Sequence, residues 1–419
     1  MKRRRNREKL GDSFNYAENN GLNKSHIHQK ELFNDINRVQ YNTSMSGKIA
    51  LVHDHIQEFG GAERVLVALH KIFPDAPVYT AFYNVDALGI HAKHFQAWNI
   101  VTSWADRVPF FNILYSPLRF LAPKIWGSFD LSAYDIVISS SGWYMCKGVV
   151  TQTKTTHICY LHHPPRYLYG YETAVEWQKY WPVKIYAHIV NHFLRMWDFQ
   201  SSQRVNYFIA NSQETKKRIQ KFYRRDAEVI YPPVDIPIKL KSYQLQAKSY
   251  YVTTSRLAKA KHIDILIQAA NKIKFNLKII GSGRDEEYLK SIAGPTVKFL
   301  SHIPDEKFEK VYIHAKAFLF AAVDEEFGIA PIEAMAFGLP VIAYASGGLR
   351  ETVQNGKNGF LYDKLNDHAL TQSIKKLEKL SKEKYEHMRK EARKSAEKYS
   401  FSVFQQKILM FIDQHTKKL

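Results

Sequence analysis

Two glutamates, Glu325 and Glu333, stand with seven residues between them in the segment DEEFGIAPIEAMAFGLPVIAYASGGLRE. An ionised carboxylate only accepts hydrogen bonds, and the two hydroxyls of a sugar or ribose diol can both donate to one such group. The pair could therefore bind two diols at once. Taken singly, each acid also fits a plainer interpretation, in which Glu333 complements a helix dipole from its first turn and Glu325 is a solvated loop charge.

Two cations, Arg256 and Lys261, follow a predicted strand at 251–254 and precede a predicted helix at 264–271. A guanidinium and an ammonium at the end of a strand could neutralise a diphosphate and stabilise the charge that grows on it as it leaves. The chain has 60 lysine and arginine residues, and most of them should be solvated. Their place after a strand distinguishes these two from the rest.

Glycine pairs occur at two predicted strand-to-helix turns. Gly60 and Gly61 precede a helix that should begin near Glu63, and Gly347 and Gly348 precede another. Such turns let a ligand approach the backbone, and the second pair could offer free amides to a phosphate, although an ordinary turn is the alternative. The first pair is not a dinucleotide-binding fingerprint, because the third glycine and its spacing are missing.

His162, His163 and Arg166 lie at the end of a predicted strand at 157–161. Paired histidines indicate either metal ligation or substrate contact, and no carboxylate or cysteine stands nearby at a spacing typical of zinc ligands. We therefore favour substrate contact for His162, with a buried structural histidine as the alternative.

These residues need a scaffold that brings strand ends together. From Lys48 onward, short apolar runs alternate with amphipathic stretches, which is typical of strand and helix units around a parallel sheet. Pro232 and Pro233 stop the first set of units, and a second set follows. The sequence predicts an α/β fold of two doubly wound halves that face each other across a ligand-binding cleft. The predicted strands lie at 49–52, 136–139, 157–161, 207–210, 229–231, 251–254, 277–280, 297–300, 317–320 and 341–343.

Four regions follow from this pattern. Residues 1–46 are polar, lack apolar periodicity and are predicted to be a disordered basic tail. An N-terminal domain should occupy 47–235, a C-terminal domain 236–398, and a closing helix 399–419.

Composition limits the class of protein. The formal net charge of +20 favours acidic partners such as nucleic acid, anionic lipid or phosphorylated small molecules. The two cysteines, Cys146 and Cys159, cannot build a disulfide framework or a four-thiolate zinc site, so a reducing cytosol is the simplest compartment. No run approaches the roughly 18 apolar residues of a spanning helix, and we expect a cytoplasmic protein that is neither exported nor integral to a membrane.

Over residues 48–415 the chain resembles a family 4 glycosyltransferase of the GT-B fold, the retaining kind that uses nucleotide sugars. The most specific element is the glutamate pair in EEFGIAPIE, supported by SRLAKAK, NSQETKKRI, YPPVD, GSG and GGLRETV. The resemblance implies that Glu325 contacts the transferred sugar and Glu333 the ribose, while Arg256 and Lys261 hold the diphosphate and His162 lies near sugar and acceptor. The remaining residues that it assigns to donor binding are Gly60, Gly61, Gly281, Gly283, Gly347 and Gly348.

The N-terminal stretches GGAERV and YLHHPPRY resemble a bacterial subgroup that builds O-antigen, capsule or exopolysaccharide, often by transferring mannose. The implied reaction moves a hexose from a nucleotide sugar, GDP-mannose by preference, to a glycan or lipid-linked acceptor. No metal or other cofactor is implied, because arginine and lysine can supply the positive charge. A GT-B sugar-nucleotide epimerase and a basic nucleic-acid-binding protein are the alternatives, and nucleic acid is not the expected partner.

An aromatic and basic segment at 98–126 carries a further expectation. Aromatic anchors among cations suit a surface that meets anionic lipid, which would place the protein on the inner face of the cell membrane. A buried aromatic core explains the same residues about as well. The residues concerned are Trp98, Trp104, Phe110, Phe111, Phe120 and Trp126 with Arg107, Arg119 and Lys124.

Overall fold

The computed structural model describes residues 47–173, 180–237, 250–300 and 305–416. The predicted tail at 1–46 lies outside these residues.

Seven described strands form the sheet of the N-terminal half, in the order β3-β2-β1-β4-β5-β6-β7, and every neighbouring pair is parallel. The central strands are apolar and almost wholly buried, which is typical of a parallel sheet covered by helices on both faces. The strands are β1 (Ile49–His53), β2 (Val78–Thr80), β3 (Ile100–Thr102), β4 (Ile136–Ser141), β5 (Thr156–Leu161), β6 (Tyr207–Ala210) and β7 (Glu228–Val229).

Six described strands form the sheet of the C-terminal half, in the order β10-β9-β8-β11-β12-β13, again all parallel. Alternate residues of its strands belong to two different core clusters: Val252 and Phe318 pack in one, and Tyr251 and Leu319 in the other. Both faces of this sheet are therefore buried. The strands are β8 (Tyr250–Thr254), β9 (Asn276–Ile280), β10 (Val297–Leu300), β11 (Ala315–Phe320), β12 (Val341–Tyr344) and β13 (Gly359–Tyr362).

Helices connect the strands and cover both sheets. In the N-terminal half they are Gly61–Ile72, Val85–Leu88, Phe111–Leu114, Ala122–Trp126, Arg166–Tyr169, Trp181–Arg204 and Gln213–Tyr223. In the C-terminal half they are Ile263–Ile273, Glu286–Ser291, Asp305–Ile313, Ile329–Ala336, Leu349–Thr352, Asp367–Glu378, Lys382–Glu397 and Phe401–Thr416.

The chain passes between the halves at two adjacent places. The Val234 amide donates to the Tyr399 carbonyl over 2.7 Å, just after the two prolines. Beyond that point the helix Phe401–Thr416 packs on the N-terminal half, where the ring of Phe404 lies 6.0 Å from that of Tyr160 on β5. The helix Phe401–Thr416 follows the C-terminal half in sequence but packs on the N-terminal half.

The α/β class and the two parallel sheets confirm the predicted fold, and each predicted strand is present with ends shifted by two residues at most. The prediction was incomplete at β2, β3 and β13. The first two have only three residues each, too few to show a pattern. The third begins with Gly359, where a Cβ would lie 1.9 Å from the Val341 carbonyl oxygen, so close strand packing explains the glycine at this position.

Candidate active site

The gap between the halves is bordered by residues 58–64 and by loops that follow β8 and β11. Residues 58–64, called here the turn at 58–64, follow β1 and include the first turn of the helix Gly61–Ile72. Arg256 reaches across it, with its guanidinium 2.9 Å from a carboxylate oxygen of Glu58. A Cβ on Gly61 would lie 3.0 Å from the side chain of Ile329, so the turn approaches the opposite half closely. The carboxyl ends of the two sheets therefore face each other here, as doubly wound halves require.

Glu325 and Lys261 form an ion pair on the C-terminal side of the gap, and each is about one-fifth exposed. Lys261 ends the short helical turn Lys259–Lys261 after β8, and Glu325 follows β11. Since β8 and β11 are neighbours in the sheet, their loops bring an acid and a base into contact although 64 residues separate them in the chain. The structure thus brings together two of the predicted site residues.

The glycine turn after β12 supports Glu325 from behind. Gly347 has φ +52°, and a Cβ there would lie 2.0 Å from the Glu325 carbonyl oxygen; at Gly348 it would lie 2.3 Å from that of Glu326. The Gly348 amide donates to the Glu325 carbonyl over 2.8 Å. The expectation that Gly348 offers a free amide to a phosphate was therefore wrong, because that amide holds the acidic loop in place.

Glu333 lies in the gap and pairs with Arg64 from the helix Gly61–Ile72. It is the fifth residue of the helix Ile329–Ala336, which begins two residues before Pro331, so the predicted first-turn position was wrong. Burial raises the pKa of the Glu333 carboxyl, and although Arg64 opposes this shift, Asp235 adds to it. A buried acid with one flexible partner can exchange that partner for hydroxyl donors.

Glu326 is the more deeply buried of the two adjacent glutamates. Its carboxylate accepts two hydrogen bonds from Arg166, at 2.8 and 2.6 Å, and a third from Arg218 at 3.0 Å. Burial opposes ionisation, but Arg166 and the other nearby positive groups hold the pKa of Glu326 well below its usual range. Both arginines belong to the N-terminal half, so Glu326 joins the two halves, whereas Glu325 keeps a half-open position beside Lys261.

Glu351 makes a second connection between the halves. Its carboxylate accepts the backbone amides of Gln213 and Glu214, at 3.0 and 2.9 Å, at the start of the helix Gln213–Tyr223. An acid at the N-terminus of a helix is stabilised by unpaired amides and by the helix dipole. A cleft of about 320 Å³ opens beside this contact and is lined by Lys217, Ser346 and Arg350 among others.

His162 is buried, and its ring belongs to a chain of polar groups. Its Nε2 lies 2.8 Å from the Ser140 hydroxyl, which lies 3.1 Å from Nδ1 of His53. The other ring nitrogen of His53 is 3.5 Å from Glu63, whose second oxygen accepts the Gly60 amide over 2.7 Å. Burial lowers the pKa of His162 to about 3 and keeps the ring neutral. These contacts link His162 to the Gly60 turn. The buried position of His162 agrees with the alternative given above, a buried structural histidine.

Gly281 and Gly283 lie against the loop that carries Arg256. A Cβ on Gly281 would lie 2.0 Å from the Ser255 carbonyl oxygen, and one on Gly283 would lie 2.3 Å from that of Leu257. Close packing accounts for both glycines and fixes the course of the Arg256 loop; donor binding by these residues stays a prediction.

Sequence reasoning missed the partners of the predicted residues. Arg64, Arg218, Glu58 and Glu351 each bond across the gap, but only Arg64 had a local signal, because it stands three residues after Gly61 on the helix that the glycine turn begins. Within the described ranges, no three His, Cys, Asp or Glu side chains lie together in a way that could hold a metal ion.

Comparison with known proteins finds one matching family model in each half. Residues 59–237 match the model of Glycosyltransferase Family 4, and residues 236–395 match that of Glycosyl transferases group 1.

Two curated relatives show how far the likeness extends. The GtfA subunit of the UDP-N-acetylglucosamine–peptide N-acetylglucosaminyltransferase of Streptococcus pneumoniae serotype 4 is 24% identical over 260 residues, 58% of this chain and 48% of that protein. The alpha-1,3/1,6-mannosyltransferase of Schizosaccharomyces pombe is 25% identical over 209 residues, 39% of this chain and 41% of that protein. The chain spans about half the length of the curated relatives it matches.

Solved structures show the same two-domain arrangement. Anabaena HepE, in a complex with UDP and glucose, superposes with a TM-score of 0.63 at 20% identity, covering 88% of this chain and 99% of that one. Sucrose-phosphate synthase from Thermosynechococcus elongatus gives a TM-score of 0.65 at 16% identity, covering 89% and 100%. These likenesses confirm the GT-B architecture.

Proposed function

Because the chain carries the two domains of a GT-B-type glycosyltransferase, we propose that it moves a hexose from a nucleoside diphosphate sugar to a glycan or lipid-linked acceptor. The observation that carries this proposal is the meeting of Glu325 and Lys261 with Arg256 and Glu333 at one gap, opposite the turn at 58–64. An activated sugar needs anions, cations and closely approaching backbone around one space for its binding and for the departure of the diphosphate.

The proposed chemistry breaks the bond between the anomeric carbon and the diphosphate oxygen. Positive charge then develops on the sugar ring and negative charge on the departing diphosphate. The acceptor hydroxyl oxygen forms the new bond on the same face, which retains the configuration, and its proton passes to the departing diphosphate. In this proposal Arg256 and Lys261 stabilise the diphosphate, and the Glu325 carboxylate stabilises the sugar ring as it becomes positive.

The contact between Arg256 and Glu58 supports this role for the arginine. Both side chains are at least half exposed, and exposed pairs of this kind contribute only ~0.2–1 kcal/mol. A diphosphate with two or more charges can therefore displace Glu58 at little cost. Lys261 has three N–H donors, so it can keep its bond to Glu325 while it donates to a phosphate oxygen.

Glu333 is the proposed ribose contact. Its partner Arg64 is a surface arginine on the opposite half, and the side chain of Glu333 is 15% exposed towards the gap. When a ribose diol donates to the Glu333 carboxylate, its hydrogen bonds replace the one from Arg64. The Arg64 side chain is then released towards the phosphates.

For the donor we propose GDP-mannose first, with synthesis of cell-surface polysaccharide at the inner face of the cell membrane as the setting. Support comes from the mannosyltransferase among the relatives. Since the pneumococcal relative is named for N-acetylglucosamine and the HepE structure holds UDP with glucose, UDP-linked hexoses belong in the same test.

The test is a panel of GDP- and UDP-sugars, scored for release of nucleoside diphosphate with membrane extract as the acceptor source. Release from one donor that depends on the extract is the expected result, with Lys261→Met as the inactive control. Isomerisation of the donor without an acceptor would point instead to a sugar-nucleotide epimerase. Failure of every donor, with and without extract, would contradict the proposed activity.

A further inference from the structure

The helix Trp181–Arg204 has an apolar outer face that no described part of the chain covers. The exposed fractions are 73% for Trp181, 54% for Ile185, 52% for Ile189 and 62% for Phe193, and Met196 and Phe199 continue the row. Spacings of three and four residues place these side chains on one side of the helix. We call these six residues the outer stripe. Its opposite side, which includes Ala187 and Leu194, packs on the domain core.

Within the helix Trp181–Arg204, the exposed charged side chains beside the outer stripe are all positive. Lys184 and Arg195 are exposed on the same helix, and the helix has a single acid, Asp198. That acid is fully buried, where it pairs with Lys147 and accepts a hydrogen bond from the Tyr169 hydroxyl over 2.7 Å. An apolar row with cations along one edge, and without an exposed acid on its helix, is complementary to a surface that is both apolar and negatively charged.

A second exposed apolar segment adjoins the same helix. The Arg119 guanidinium donates to Asn191 over 3.0 and 3.3 Å, and the Tyr186 hydroxyl donates to the Pro117 carbonyl. This segment exposes 70% of Phe110 and 69% of Ile113. Monomeric proteins rarely expose so many large apolar side chains in contiguous segments without an interaction partner.

The sequence expectation for 98–126 is corrected in part by these contacts. Trp126 and Phe111 are buried in the core, and Trp98 stacks on His70 at 3.9 Å, so half of the six aromatic residues do not form an exposed surface. Trp104, Phe110 and Phe120 are exposed. The larger apolar face, on the helix Trp181–Arg204, had no counterpart in the sequence analysis.

We propose that the outer stripe and the segment around Phe110 and Ile113 form one docking surface for an anionic lipid bilayer. The aromatic and aliphatic side chains enter the headgroup region, and Lys184 and Arg195 bind lipid phosphates. No described helix is both long and apolar enough to cross a membrane. The inference goes beyond the proposed function, because lipid binding is measurable without donor or acceptor.

The surface lies close to the candidate active site. Tyr115 directly follows the exposed helix Phe111–Leu114, and its ring is 5.1 Å from His55, which comes two residues after β1. The turn at 58–64 begins three residues later. A bilayer on this surface would therefore hold a lipid-linked acceptor near the opening of the gap.

The experiment is flotation of the full chain with vesicles of phosphatidylcholine alone or mixed with phosphatidylglycerol, at low and high salt. Wild-type protein should float with the anionic vesicles at low salt and bind at least 10-fold less to the neutral ones. The double variant Ile189→Glu with Phe193→Glu should lose at least 10-fold in binding. Tyr288→Glu, an equally exposed apolar position in the C-terminal half, should bind like wild type.

A milder double variant, Ile185→Gln with Ile189→Gln, guards against misfolding and should also bind less, with an unchanged circular dichroism spectrum. Lack of wild-type binding to anionic vesicles at low salt would overturn the proposal, as would full binding by both double variants. A wild-type dimer that ignores vesicles and becomes monomeric in the glutamate variant would show that a second copy covers the surface.

Discussion

Neutralising the adjacent acids Glu325 and Glu326 should affect different properties of the protein, turnover for Glu325 and stability for Glu326. Glu326→Gln should lower stability, because it removes the negative charge between two guanidiniums; Arg218, only 2% exposed, would keep Glu214 alone as an acidic partner. Glu325→Gln should lower turnover, because the change lies beside Lys261 at the open gap. The two neighbouring glutamates would thus have different roles, Glu325 in turnover and Glu326 in joining the two halves.

The magnitudes follow from burial and geometry. Removing one partner of a buried ion pair costs about 3–5 kcal/mol, and the side chains of Glu326 and Arg166 are both at least four-fifths buried. Glutamine keeps one acceptor oxygen, so we expect the lower end, about 3 kcal/mol. The pair of Glu325 with Lys261 is more open, and its loss should cost about 1 kcal/mol of stability. Loss of a preorganised charge at the reacting sugar should cost ~2–4 kcal/mol in the activation barrier, roughly 30- to 900-fold in rate.

The assay combines urea unfolding followed by tryptophan fluorescence with steady-state release of nucleoside diphosphate from the active donor. Small-angle scattering adds a measure of whether Glu326→Gln opens the gap. The reasoning is refuted if Glu325→Gln is the less stable variant and turns over normally, or if Glu326→Gln keeps wild-type stability and loses turnover.

Three further changes test other parts of the account. Arg256→Ala should raise the activation barrier by ~2–4 kcal/mol and leave unfolding unchanged, because its charged partner among the described residues, Glu58, is exposed. The slowing should appear in single-turnover kinetics. Glu333→Ala should weaken binding of a bare nucleoside diphosphate in calorimetry, and unchanged affinity would exclude the ribose contact. Burial lowers the pKa of His157 to about 3 from its usual 6.5, so this residue alone should lower stability by ~2 kcal/mol between pH 6.5 and 5, as the unfolded chain gains the proton that the folded ring refuses. His157→Gln should make the pH dependence in urea titrations shallower, while the buried ring of His162 keeps part of it. An equally steep profile would contradict the assignment.

Much of the scaffold was predictable because burial on both faces leaves a continuous apolar signal. The strands that hold Arg256 and Glu325 were predicted within two residues, and parallel pairing then requires their following loops to meet at one edge. Short strands such as Val78–Thr80 carry too few residues for a pattern, so the edge of the first sheet was missed.

The partners of the site residues were not predictable in the same way. Arg166 and Arg218 are 160 and 108 residues from Glu326. The position of Arg166 after a strand was visible in the sequence, but nothing local identifies Glu326 as the partner of either arginine. Which of two adjacent glutamates faces the gap depends on how the loop after β11 packs. That packing is set by the contacts of Gly347 and Gly348 with the backbone of the two glutamates. The sequence shows the two glycines but not which part of the chain packs against them.

His162 illustrates a third case. Its position after β5 was correct, but the sequence could not show that Ser140 and His53 hold its ring in a buried polar chain, because those groups come from two other strands. A side chain placed by three strands is fixed by tertiary packing rather than by local pattern.

The most direct test of the central claim is calorimetric titration of wild-type protein, Arg256→Met and Lys261→Met with GDP, UDP and the corresponding nucleosides. If cations of the C-terminal half hold a diphosphate in the gap, one diphosphate should bind wild type, its nucleoside should bind far more weakly, and each variant should lose at least 10-fold in affinity for the diphosphate. Equal affinity of wild type and both variants, or no binding of either diphosphate, would contradict it.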